Sequence, residues 1–153
     1  MKFWLTLLAL IAPAAASAAE DVTLSSKVLV ERVKTGPDGK TATVREEPGV
    51  VTPGDRLVFV IGYRNGGAKP ATGFTLTNPV PAAVAYTGTE DPAAAVSVDG
   101  GKTWGALAAL RVAQADGTSR PATAADVTHV RWSFSQAIAP GASGDLSFRG
   151  IVR

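Results

Sequence analysis

One histidine, His129, and no cysteine occur among the 153 residues, which narrows the available chemistry before any fold is considered. Serine-nucleophile hydrolysis would have to run through His129 as general base. Ser133 is a hydroxyl on the same strand face, but no Gly-x-Ser-x-Gly turn surrounds it to present a nucleophile. The acidic pairs Glu46-Glu47 and Glu90-Asp91 have the residue types of a glycosidase acid and nucleophile. Adjacent residues on a strand point to opposite faces, so neither pair converges unaided. A zinc site built without cysteine would need several clustered carboxylates, and the Asp-x-Asx-x-Asx-Gly spacing of a calcium loop is absent. Gly66-Gly67 and Gly100-Gly101 are turn glycines, because no Gly-Lys-Ser/Thr follows either pair to cradle phosphate. The expectation is a chain with no catalytic residues, no metal and no cofactor, and His129 reads as a solvated surface residue.

The sharpest local motif is Ser97-x-Asp99-x-Gly101-x-Thr103-Trp104. Asp and Gly suit a tight turn, and Trp anchors a hairpin by its buried area. The motif is similar to the Asp-box of sialidases and other β-propellers, where the carboxylate ties the turn's backbone donors and the role is structural. One copy in 153 residues cannot build a propeller. Two readings remain: Trp104 packs beneath its hairpin, which is preferred, or it stacks on sugar rings as a ligand contact.

The charge balance is 15 Lys plus Arg against 13 Asp plus Glu, a net +2 that falls to +1 without Lys2. Lys27, Lys34, Lys40, Arg45 and Arg64 are scattered among acids, so no nucleic-acid face is expected. Hydrophobic residues make up 46% and charged residues 18%, the balance of a globular domain.

The elements that must position these residues begin after a leader. Met1-Lys2, an apolar run from Phe3 to Ala16 and the small residues Ser17-Ala18-Ala19 have the three parts of a secretory signal peptide. Cleavage is expected after Ala18, with Ala19 as the alternative. Pro13 interrupts the run, which is shorter than the ~20 apolar residues a membrane helix needs. No second such stretch follows, so the domain of residues 19–153 is expected to be exported, periplasmic or extracellular, with no transmembrane segment. With no disulfide, its stability must come from the core.

Beyond residue 20 the pattern is short alternating runs bounded by Gly, Pro, Asn and Asp, which predicts an all-β sandwich of seven to eight strands. The opening strand is expected over Val22–Val33, with Val22, Leu24, Val28 and Val30 inward, and its partner over Thr41–Glu46. Leu57–Arg64 is apolar on both faces and predicts a central, doubly covered strand. Further strands are expected at Ala71–Asn78 with Phe74 and Leu76 inward, at Val84–Thr87 and at Ala95–Val98. Residues 105–112 read as a strand, with a helical turn as the alternative, and residues 114–126 as a loop. Val127–Phe134 is predicted to turn Val130, Trp132 and Phe134 inward and His129, Arg131 and Ser133 outward. The closing strand is Asp145–Val152, and no anchor or sorting signal is expected after it.

Val51-Thr52-Pro53-Gly54-Asp55, the strand Leu57–Asn65 and Pro70-Ala71-Thr72-Gly73-Phe74-Thr75-Leu76-Thr77-Asn78-Pro79-Val80-Pro81 occur in an order that resembles a known family. That family is the bacterial and archaeal conserved repeat domain termed domain of unknown function eleven. Ile138–Gly144 followed by Leu146-Ser147-Phe148-Arg149 fits its closing strands, and Asn78 stands where Asp is commoner. The resemblance covers residues 50–153 in a single copy. It implies an immunoglobulin-like β-sandwich, secreted or held on the cell envelope, and it carries over no catalytic residue.

The expected function is a non-catalytic, exported module with a structural or protein-binding role in the bacterial envelope. Its expected partner is an envelope protein or a glycan. One alternative is a carbohydrate-binding module using Trp104. The others are a pilus-like subunit that donates residues 22–33 to a neighbour's sheet and a small hydrolase working through His129. Periodicity does not locate an edge strand, so the oligomeric state is left open.

Overall fold

The computed structural model describes residues 21–153. The signal peptide expected over residues 1–18, with either cleavage position, lies outside the described residues. Among the described residues ten strands, where seven to eight are expected, and two short 3-10 turns make the fold all-β, and the larger two of the three sheets face one another across a common core.

The first sheet has the order β2-β1-β3-β10-β5, all antiparallel. It is built from β1 (Val22–Thr35), β2 (Thr41–Glu46), β3 (Arg56–Asn65), β5 (Val84–Thr89) and β10 (Ser143–Val152). The second sheet sets β9 (His129–Ser133) between β4 (Thr75–Pro79) and β6 (Ala95–Ser97). A small hairpin of β7 (Arg111–Ala113) and β8 (Ser119–Pro121) stands apart.

Alternation along the strands decides what enters the core. Val30, Leu57, Phe59, Ile61, Tyr86 and Phe148 come from the five-stranded sheet, and Leu76, Val96, Val130 and Trp132 come from the three-stranded one. Phe59 and Phe148, neighbours on β3 and β10, stack with centroids 4.6 Å apart and planes within 3°. Trp132 reaches across from β9 to lie 6.4 Å from the same Phe148 ring.

Three expectations are corrected here. Val22 and Leu24 lie on the core-side face of β1, but Leu24 is 55% exposed, because the smaller sheet does not extend over the first half of β1. Among the described residues no third layer covers the outer face of β3. Val58 is 1% exposed yet stands outside the core cluster, flanked on its sheet face by Leu29 and Arg149, whose apolar stems cover it. Residues 105–126 are more ordered than their small, polar composition suggests. Leu107–Ala109 is a 3-10 turn where a strand is expected, β7 follows it, and the predicted loop holds β8 and a second 3-10 turn at Ala124–Asp126. Side-chain acceptors do this work. Asp116 accepts from the Thr118 amide and hydroxyl at the hairpin tip, and Asp126 takes a bidentate pair from Arg120 at 2.7 Å on both arms.

Candidate functional site

The carboxylate of Asp99 is the most heavily solicited polar group in the molecule. Its Oδ1 accepts from the Ser97 hydroxyl at 2.8 Å and from the backbone N–H groups of Lys102 and Thr103 at 3.0 Å each. Its Oδ2 accepts from the Thr103 hydroxyl at 2.7 Å. These donors, led by the Thr103 backbone and hydroxyl, hold the carboxyl far below its ordinary range. The local sequence dictates this geometry. Gly100 and Gly101 take positive φ, which leaves the following amides pointing back at the acid, and the Gly101 N–H donates to Ser97 Oγ at 2.9 Å.

The tightened turn delivers Trp104 to the outer face of the second sheet. Its indole Nε1–H donates to the Gly101 carbonyl at 2.9 Å. One ring face is covered by the Arg131 guanidinium, whose Cζ lies 3.7 Å from the ring centroid, and His129 meets it nearly edge-on at 6.3 Å between centroids. Arg131 is held in turn by donating to the Thr77 hydroxyl at 3.2 Å. Trp104, His129 and Arg131, all half-buried, thus form a row that ends at the exposed Thr77 of β4, with one face of the indole already occupied.

The other candidate chemistry does not assemble. His129 and Ser133 stand at the two ends of β9, roughly 13 Å apart at the usual rise of a strand, and His129 Nδ1 is 3.0 Å from the Thr128 hydroxyl instead. Glu46 pairs with Arg32 and Lys34 on the β1–β2 ladder, whereas Glu47 lies beyond the end of β2. Glu90 is claimed by Arg149, which also reaches Glu31, and the hydrogen bond and charge of Arg149 hold the Glu90 carboxyl below its ordinary value. Its neighbour Asp91 instead accepts from the Ala93 amide at 2.9 Å. Among the described residues no three His, Asp or Glu side chains come together as a metal-holding group.

Two features escape the sequence. Asn65 is fully buried, donating from Nδ2 to the carbonyls of Lys69 and Ile138 at 2.9 and 2.8 Å and accepting at Oδ1 from the Gly67 amide. It ties the end of β3 to the loop before β10, and its partners up to 73 residues away leave no local signal of that role. The second is a cavity of about 470 Å³ between the ends of the two sheets, lined by Tyr63, Trp132, Phe134 and Leu146 with Asp91 and Gln136 at its rim. Its walls come from segments some 70 residues apart, so no local pattern announces it. No helix among the described residues is long and apolar enough to cross a membrane. Compared with known proteins, the chain matches no protein-family model, and no curated protein or solved structure is detectably similar to it.

Proposed function

We propose that this chain is an exported, non-catalytic immunoglobulin-like β-sandwich that serves as a structural or protein-binding module of the bacterial envelope. The observation that carries the reading is where the polar side chains are spent. Asp55, Asp99, Asp116 and Asp126 each accept backbone donors of their own turn, and Asn65 is enclosed by three backbone partners. With these four acids and the buried amide committed to shaping loops, what remains to offer a partner is loop ends and strand edges. The leader-like residues 1–18 and the motif order over residues 50–153 support the compartment and the fold family.

The test is the mass of the native particle in gently extracted envelope and in culture supernatant, by size-exclusion chromatography with light scattering and identification of co-eluting proteins. A defined envelope companion is the expected result. Activity across a broad hydrolase panel that His129→Ala abolishes would overturn the reading. The carbohydrate-binding alternative is less favoured because Arg131 occupies one face of Trp104. A glycan-array signal lost in Trp104→Ala would reinstate it.

A further inference from the structure

We propose that two copies of this chain pair through the free edge of β1, antiparallel, about a two-fold axis at Ser26. This goes beyond the envelope-module reading and stands or falls separately from it. β1 is bonded to β3 along Val22–Glu31, but β2 covers its other side only from Val30 onward. Among the described residues no strand lies against the outer side of Val22–Leu29.

Which backbone groups face that open edge follows from the ladder. The Asn65 N–H donates to the Ala142 carbonyl and its C=O accepts from Gly141, so Asn65 faces β10 and not its β1 neighbour Val22. Val22 is therefore a non-bonded position against β3, and by alternation so are Leu24, Ser26 and Val28. The far end agrees, because Gly36 donates to the Lys40 carbonyl on the β2 side. The N–H and C=O groups of Leu24, Ser26 and Val28 thus point out of the sheet in the geometry that templates another strand.

Self-pairing is selected by side-chain matching. An axis at Ser26 sets Leu24, the 55%-exposed leucine, opposite Val28 of the second copy on the core-side face. On the other face it sets Lys27 of the second copy opposite Ser25, in a row that continues through Gly62 to Asp145. The absence of a side chain at Gly62 lets Ser25 and Asp145 lean toward each other over it, with Ser25 Oγ 2.6 Å and Asp145 Oδ1 3.1 Å from where a Cβ would stand. The incoming ammonium reaches the Ser25 hydroxyl and has the Asp145 carboxylate beyond it, a favourable charge in the same row. An axis at Ser25 would instead align Lys27 with Thr23 and Arg64, and an axis at Lys27 would oppose the two lysines and run Leu24 into the Glu46 end of the other copy's β2, an overlap that the axis at Ser26 confines to Asp21 and Val22 at the start of the strand. So short a pairing predicts a weak, concentration-dependent dimer.

The experiment is sedimentation velocity on the protein recovered from an exporting host, across a wide concentration range. Wild type is expected to move from one-chain to two-chain mass as concentration rises. Ser26→Pro removes only an outward N–H and no β3 ladder bond, so it is expected to keep the wild-type circular dichroism and remain at one-chain mass. Because the chain has no cysteine, Ser26→Cys gives a second arm. Its sulfurs would meet at the axis and cross-link under mild oxidation much faster than those of Lys40→Cys on the exposed β1–β2 turn. If Ser26→Pro does not fold, this arm decides alone. One-chain mass for wild type at every concentration, a dimer that persists in folded Ser26→Pro, or equal cross-linking of the two cysteine variants would overturn the proposal.

Discussion

Asp99 and Asn65 carry the loops by opposite means, one with a charge left in contact with solvent and the other with a neutral amide sealed from it. The Asp99 carboxyl, like those of Asp55 and Asp126, is held below its ordinary value of 3.8 by the donors around it. A depressed folded-state pKa contributes stability that is present above the ordinary value and lost as pH falls below about 4 toward the folded one. Asp99→Asn is therefore expected to lower the denaturation midpoint at pH 7, with the difference from wild type narrowing as both are titrated toward pH 2. Urea melts at a series of pH values check this, and a difference that stays constant down to pH 2 would refute it. For Asn65→Ala the loss is pH-independent. Two carbonyls and an amide lose their partner in a site with no exposure, for a cost of about 3 kcal/mol by chemical denaturation.

At the scale of elements, β10 is the strand on which the sandwich closes. It runs between β3 and β5 in the large sheet, and its Phe148 is fully buried against Phe59, Tyr86 and the Trp132 ring of the other sheet. Truncating that side chain leaves a void bordered by three aromatic rings that cannot easily collapse into it. Phe148→Ala is expected to cost about 3–5 kcal/mol, a large part of the total stability of a domain this size. Equilibrium unfolding measures it, and a loss below about 1 kcal/mol would show that the two sheets do not depend on this contact. β1 is the contrasting element. Only Val30 and Glu31 are paired on both sides and Arg32–Thr35 bonds to β2 alone, whereas the first half is paired with β3 alone and lies beyond the shelter of the smaller sheet.

For the whole molecule, the balance between a five-stranded and a three-stranded sheet has two consequences. The smaller sheet leaves part of the larger one's inner face uncovered around Leu24, and the mismatched ends open the cavity beside Tyr63 and Phe134. Export would present these surfaces to the envelope or the medium. The exported protein is expected to begin at Ala19, which an intact mass measurement reads directly; a chain still carrying Met1 would refute the leader.

Local pattern was enough for the all-β class, because alternation such as that along His129–Ser133 distinguishes a pleated strand from a helix, and Gly and Pro mark where each run stops. It was also enough for the inward set on β9, where Val130 and Trp132 are buried, and for the turn at Asp99, whose partners all lie within four residues. It failed where the deciding contact is remote. Leu24 alternates correctly and is exposed all the same, because coverage depends on the length of a different sheet. Residues 114–126 have a loop's composition and form a hairpin, because acid acceptors at Asp116 and Asp126 supply the bonds that an apolar pattern would have advertised. Arg131 over Trp104 joins a residue of β9 to the turn that follows β6, and no spacing predicts it. Sequence decided which way each side chain points from its own strand. Only the tertiary structure decided what lies opposite it, since that is set by the relative size and registry of two sheets packed across a shared core.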